Sequence, residues 1–522
     1  MLLGAAMTTS GAGAADVEPP RTAPAEAASQ VRASGLVARN MLSLVFSQFV
    51  TTPVSIVVNA VLARSLGAAD FGIIYFANTA LLVAFLFVEW GSQFLAGEVA
   101  CKRSQAGELF GAAVTQRLAF ASTVLLLIPP ASAVLGYDAR VKTVLLLCAA
   151  RMAIGTVGSA CSAVFRGFER LSWHARTAVF GNVLEASVLI PTLLLGGRLY
   201  AALIAQLVAA SITAAVQIAL LVRLDMGRPR FTFRAVKELL RGGVGFLVLD
   251  IVVRLQPYID ATFLSKLARP DAMGWYSASN RIVGVILFPA TTLSFAIYPT
   301  ISRLWAEDRH SYAALVRLAL RALTIVGIFA ATGTILFSGV AIDLIYGARF
   351  GPAAGNLRIL GIYVVLVYAS IVVGTGIGAA RRLLPYTFAQ SFCLVVSLLL
   401  DPILVPYFER AAGNGGLGVS TSVVVAETAM VAAGIVILPS EVVDRSLLLT
   451  LGRSLAAALG MASVGFVLRA YPYLALPLSV GTYAALLWAL GGLDREVLDL
   501  LRDVFRRRRP PSPTAAPAGT AG

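Results

Sequence analysis

Charge is scarce in this chain. Of its 522 residues only 13% are Asp, Glu, Lys or Arg, while 58% are hydrophobic. A soluble globular chain averages about 25% charged residues, so composition excludes a soluble fold. Histidine is scarcer still. His174 and His310 are the only two, both expected in loops, which argues against histidine-based catalysis and a histidine metal cluster. The four cysteines, Cys101, Cys148, Cys161 and Cys393, show no C-x-x-C spacing. They read as small, reduced, apolar residues, not as a disulfide frame or a metal site. The short alternating segments of a transmembrane β-barrel are also missing.

What the chain has is apolar runs of about 20 residues, each long enough to span a bilayer, recurring from Leu36 to Leu490. They predict an all-α polytopic membrane protein of fourteen helices, at 36–63, 72–95, 109–136, 141–165, 173–196, 199–222, 243–267, 274–302, 314–340, 355–379, 383–408, 415–438, 447–470 and 473–491. An even count puts both termini on one side. With the N-terminus inside, most of the 42 Lys and Arg fall in inner segments, so the positive-inside rule places both ends in the cytoplasm. The net charge of +15 is then a matter of topology and anionic lipid, with no nucleic acid as partner. Residues 1–35 are rich in Ala, Pro and Glu and lack an apolar h-region, so a disordered cytoplasmic tail is expected in place of a cleaved signal peptide. Domains follow as an N-terminal six-helix bundle at 36–223, a basic cytoplasmic linker at 224–242 and a second six-helix bundle at 243–440. An added transmembrane pair at 441–492 and a basic, Pro-rich cytoplasmic tail at 493–522 complete the chain.

The run from Val244 to Leu267 breaks the shortage of charge. It is long enough to span, yet holds Asp250, Arg254, Gln256, Pro257 and Asp260. A charge near the middle of a spanning helix costs about 2.5–3.5 kcal/mol on insertion scales. Asp250 and Arg254 stand four residues apart, share a face and partly neutralise each other. Pro257 removes a backbone donor and predicts a kink. Such a helix is expected to line a polar cavity.

That cavity is framed by an internal repeat. Ala60, Leu66 and Asp70 recur as Ala261, Leu267 and Asp271 at a shift of 201, and Gly72 and Asn78 recur as Gly274 and Asn280 at a shift of 202. Both copies fall on the first hairpin of a half, six helices apart. The halves therefore run parallel, related by a pseudo-two-fold axis along the membrane normal, with a site between two bundles. The charges sit mainly in the second half, which places the binding chemistry on the C-terminal bundle's face.

Four stretches carry a family resemblance. Arg64-Ser-Leu-Gly-Ala-Ala-Asp70-Phe-Gly72 forms an R-x-L-G-x-x-D-F-G turn. Asp260 through Tyr276, with Arg281, gives D-x-x-x-L followed by G-x-Y-S-x-x-x-R. Tyr298-Pro299-Thr-Ile-Ser302-Arg303 gives a P-x-x-S-R helix exit, and Leu400-Asp401 through Pro406 with Gly416 to Thr421 is a looser match in which Asp401 replaces the usual asparagine. Over residues 36–440 the chain resembles the Wzx-type polysaccharide flippases of the MOP superfamily, which also holds the MATE exporters and the lipid II flippases.

The resemblance implies a transporter, not an enzyme. Its cargo would be an undecaprenyl-pyrophosphate-linked oligosaccharide, flipped by alternating access across the bacterial inner (cytoplasmic) membrane for export of O-antigen, capsule or exopolysaccharide. It implies no cofactor, a proton or Na+ gradient as the candidate drive, and the bilayer and other polysaccharide-assembly membrane proteins as partners. A guanidinium binds phosphate oxygens bidentately, so the intramembrane arginines Arg254, Arg281, Arg151 and Arg117 become candidates for the diphosphate. Among spanning carboxylates, Asp250, Glu185 and Asp260 are candidates for coupling, Glu89 reads as an interfacial anchor, and Glu427 also falls in a span. Asn59, Asn78 and Asn280 are candidates for sugar hydroxyls, and Tyr75, Trp275 and Tyr276 read as an aromatic belt. Two rivals stay open. A cation-coupled multidrug exporter requires a cavity of net negative charge, and a membrane-embedded glycan polymerase or glycosyltransferase requires a sizeable outer loop with acidic or histidine catalysts.

Overall fold

Among the described residues all regular structure is helical. The computed structural model describes residues 47–224 and 227–492, except for the side chains of residues 93, 245–246, 248–250 and 252–254. The predicted tails at 1–35 and 493–522, and the side chains of Asp250 and Arg254, lie outside the described residues.

The first half comprises α1 (Ser47–Leu66), α2 (Ala68–Val88), α3 (Ser92–Cys101), α4 (Ala106–Val134), α5 (Ala139–Gly167), α6 (Leu171–Leu194) and α7 (Leu199–Leu221). The second comprises α8 (Phe233–Leu267), α9 (Pro270–Ile286), α10 (Phe288–Glu307), α11 (Arg309–Tyr346), α12 (Ala353–Ala379), α13 (Leu383–Ala412) and α14 (Gly416–Ile437). A pair, α15 (Arg445–Val467) and α16 (Pro472–Ala489), follows. Twelve of these helices are long and apolar enough to cross a membrane, and α9 with α10 forms a thirteenth, bent span. Among the described residues the count is therefore twelve, or thirteen with the bent pair, against the expected fourteen; the expected seventh span falls in α8, 35 residues long, which carries more charge than the others.

Three of the departures from the expected boundaries have a clear local reason. The second span stops at Val88, where Gly91 takes a left-handed φ of 83° and starts the separate short helix α3. The eighth span is bent by 40° between α9 and α10, where Pro289 enters the first turn of α10. The seventh begins at Phe233, ten residues early, because the amphipathic linker piece is continuous with it, capped by Thr232. The helix also runs through Pro257 without a break.

In the first half α5 packs against α2, α4 and α7, and α6 packs on α7. In the second, α12 packs against α9, α11 and α14, and α13 against α8 and α14, while α15 rests on α11. The halves meet where α2 lies on α8 and α9. At the end carrying the α1–α2 turn, the end expected to face outwards, this contact is a seal. A Cβ on Gly72 would stand 2.7 Å from the backbone nitrogen of Gly274, its repeat partner. Tyr75 meets Tyr276 edge to face at 6.1 Å, and Phe71 packs on Phe350 at 6.0 Å. Arg64 donates to the carbonyls of Ile345 (3.0 Å) and Leu344 (2.5 Å) at the end of α11, and Tyr137 bonds Ser265 at 2.9 Å. The expected aromatic belt is thus corrected at Tyr75 and Tyr276: they face each other across the halves, and Tyr276 is buried. At the opposite end the start of α8 docks on the first half. Ala235 and Leu239 are buried against Leu95, Val99 and Phe110, and Lys102 bridges Glu98 and Glu238.

Candidate functional site

Behind this seal the halves part around a polar cavity. Its centre, about 300 Å³, is lined by Asn59 from α1, Asn78 from α2, Arg151 from α5, Asn182 and Glu185 from α6, Gln206 from α7 and Arg281 from α9. These helices are apolar over most of their surface, so a polar group in one is driven to the shared interior, away from lipid. The cavity continues down α2 past Leu82 and Phe85 to Glu89, with Met152 and Gly155 opposite.

Local hydrogen bonds fix the side chains. Asn78 donates to the Ile74 carbonyl at 2.9 Å and accepts from Nη2 of Arg151 at 2.6 Å. Asn59 donates to the Ser55 carbonyl at 2.7 Å, and Ser55 donates to Asn182 at 3.1 Å. Gln206 donates to Glu185 at 2.8 Å. Arg281 stacks on the Phe71 ring at 5.3 Å. The Nε–H groups of both Arg151 and Arg281 are buried without a hydrogen-bond partner. Both guanidiniums line the cavity, and a guanidinium binds an anion with several acceptor oxygens.

The structure brings together Arg151, Arg281, Glu185, Asn59 and Asn78 of the candidates, and leaves others elsewhere. Arg117 is corrected. It is 1% exposed and donates to the Thr156 carbonyl at 2.7 Å and Ser159 Oγ at 2.9 Å, so it props α5 from behind and offers no donor to cargo. Ser159 in turn donates to Glu89 at 2.8 Å, and Glu89 lines the cavity instead of anchoring at an interface. Asn280 stands against the Tyr75 hydroxyl in the seal. Asp260 is 3% exposed, and its carboxyl lies against that of Asp401. The Ser422 hydroxyl stands against the Asp401 carboxyl. Glu427 pairs with Ser370 between α14 and α12.

Asp250 and Arg254, on which the expected weighting towards the C-terminal bundle rests, lie outside the described residues. Among the described residues the polar wall belongs mainly to the first bundle, with Arg281 the second bundle's charge. Sequence reasoning passed over Asn182, Gln206 and Gln217, because a neutral amide in a spanning run stands out less than a charge. The available signal was spacing: Gln206 and Gln217 lie eleven residues apart, on one face of α7. Lining charges are two arginines, Arg151 and Arg281, against two carboxylates, Glu89 and Glu185, so the described cavity is not net negative.

A second space, about 570 Å³, opens from the centre between α1 and the α9–α10 bend. It shares Ser55, Asn59, Asn182 and Arg281 with the centre and is otherwise largely apolar, with Ile56, Ile282, Val285, Leu287 and Phe288. Its rim is exposed at Val285.

A family model described as "Polysaccharide biosynthesis protein" matches residues 37–305. No curated protein matches the chain. Among solved structures, "Lipid II flippase MurJ, inward closed conformation" aligns with a TM-score of 0.70 at 12% identity, covering 85% of this chain and 97% of that one. An inward-facing multidrug resistance MATE family transporter of the MOP superfamily aligns at 0.58 and 14% identity, covering 80% and 98%. A MOP superfamily transporter from Pyrococcus furiosus, titled for the reverse polarity of its binding pocket, aligns at 0.52 and 15%, covering 77% and 94%. At such identities these likenesses speak to the fold alone.

Proposed function

The chain belongs to the polysaccharide biosynthesis protein family, and from that premise we propose that it flips a polyprenyl-diphosphate-linked oligosaccharide across the cytoplasmic membrane by alternating access. The observation that carries this is the pair of guanidiniums, Arg151 and Arg281, lining one cavity with the amides of Asn59, Asn78, Asn182 and Gln206. A diphosphate and sugars lose their hydration on entering a bilayer, and the cavity must replace it. Two guanidiniums suit the diphosphate, with Arg151 held in place by Asn78. Asn59, Asn182 and Gln206 suit hydroxyl groups. A wall of this kind offers little to a lipophilic cation, which is why the multidrug reading ranks second.

The apolar space beside α1 fits the prenyl chain, which stays in lipid while the head group occupies the polar centre. With the outer seal closed, cargo enters from the cytoplasmic side. Release requires α2 and α9 to part, a rocking of one bundle on the other. Coupling falls to Asp260 with Asp401. Two buried carboxyls in contact without a basic neighbour hold a proton or a cation between them, and gaining or losing it shifts the balance between conformers.

The test is export of surface glycan in cells carrying Arg281→Ala or Arg151→Ala at normal membrane levels. Each loses charged hydrogen bonds of about 1.5–3 kcal/mol, so flux should fall roughly tenfold to a hundredfold. Undiminished export in both variants would sink the proposal. Asp401→Asn should weaken the dependence of flux on pH or Na+, and an unchanged dependence removes the pair from the coupling step.

A further inference from the structure

Off the central cavity a side groove runs into the first bundle between α5, α6 and α7. Its volume is about 310 Å³, and it shares Arg151, Glu185 and Gln206 with the centre. One face of α5 forms its length. Arg151, Gly155, Gly158 and Ser162 recur at helical spacing, and the eleven steps from Arg151 to Ser162 span roughly 16 Å at the helical rise.

The groove has a distinct chemistry. Its floor is nearly free of side chains, with Gly155 and Gly158 on α5, Gly181 on α6 and Ala210 on α7. Gly155 has no atom within 4 Å of where its Cβ would stand, so that position looks onto open space. At Gly158 a Cβ would collide with the Gln217 amide oxygen: the glycine is what lets that amide lie across α5. The rim supplies Gln217, Ser162 and Thr213 as well as the hydrogen-bonded pair of Glu185 and Gln206.

A smooth floor beneath a rim of amides and hydroxyls fits a sugar ring, which presents a flat C–H face and an edge of hydroxyls. We infer that this groove is the glycan subsite, holding the sugars next to the diphosphate, with Gln206, Gln217 and Glu185 as its specificity-determining residues. The inference rests on the flippase reading, since the diphosphate at Arg151 sets where the sugars begin. Glu185 accepts hydrogen bonds, so it selects hydroxyl or amino groups and repels a uronic acid at the same place.

Thr213→Phe tests this, because it fills the groove at a residue that lines the groove and not the central cavity. Gln217→Leu removes the amide at similar volume and guards against a folding defect in the first variant. The full-length protein is purified, and affinity is measured for farnesyl diphosphate and for the same diphosphate carrying one or three neutral hexoses. Wild type should bind the sugared probes more tightly than the bare one. Both variants should bind the bare diphosphate as wild type does and lose the sugar-dependent gain by about tenfold, the factor of one unreplaced hydrogen bond. Variants that keep the full gain overturn the groove assignment alone. Wild type that ignores all three probes overturns the flippase reading, and the groove with it.

Discussion

Substituting Gly72 by Ala probes the outer seal directly. The new methyl would stand 2.7 Å from the Gly274 nitrogen, 3.0 Å from the Pro270 carbonyl oxygen and 3.2 Å from the Met273 carbonyl carbon. Ordinary contact begins near 3.4 Å, so the shortest of these falls short by 3.4 − 2.7 = 0.7 Å. All three neighbours are backbone atoms of α9, and no side chain can turn aside. α2 and α9 must therefore separate, at an overpacking cost of about 1–3 kcal/mol. The cost applies only while the seal is closed, so the balance should move towards the outer-open conformer by roughly fivefold to 150-fold. The assay uses a chain whose four native cysteines are replaced, with a reporter cysteine at Ser265, which lies behind Tyr137 in the seal. Labelling by a membrane-impermeant maleimide from the outside should rise in Gly72→Ala. Unchanged labelling together with an unchanged melting temperature would refute the backbone contact. A lowered melting temperature with unchanged labelling would refute the opening.

Two further outcomes follow from the same geometry. Arg117→Met should destabilise the protein by roughly 3–5 kcal/mol, because it leaves Ser159, Glu89 and the Thr156 carbonyl without their cation. Arg281→Met, on the cavity wall, should leave the melting temperature nearly unchanged, and equal losses in the two variants would contradict the separation between prop and binding residue. Asp308 caps α11, and the Ser311 hydroxyl, followed by the N–H groups of Ser311 and His310, holds its carboxyl below the usual range. A depressed value means that this stabilisation is present at neutral pH and is lost as pH falls through it. Melting of the wild type should therefore be more acid-sensitive than that of Asp308→Asn, and parallel pH profiles would contradict the cap.

The spans were legible because hydropathy over some 20 residues is a property of the local chain. The first-hairpin repeat was legible too, since Gly72 and Gly274 recur at matched positions. Which way each polar residue faces was not. Arg117 and Arg151 look alike in sequence, each a lone arginine in an apolar run, yet one is sealed behind α5 and the other lines the cavity. A helix apolar all round leaves its orientation to its neighbours, so only packing distinguishes them. Asp260 and Asp401 are 141 positions apart, and nothing local pairs them.

The sequence by itself thus determined a polytopic helical membrane protein, built twice in parallel, with charge buried inside it. Tertiary structure alone decided that the repeat glycines close against each other and that Arg151, Glu185 and Arg281 share one cavity while Arg117 is sealed away from it. The physical reason is that the cost of a buried charge fixes its depth in the membrane from local sequence, whereas its partner is set by contacts between helices distant in the chain.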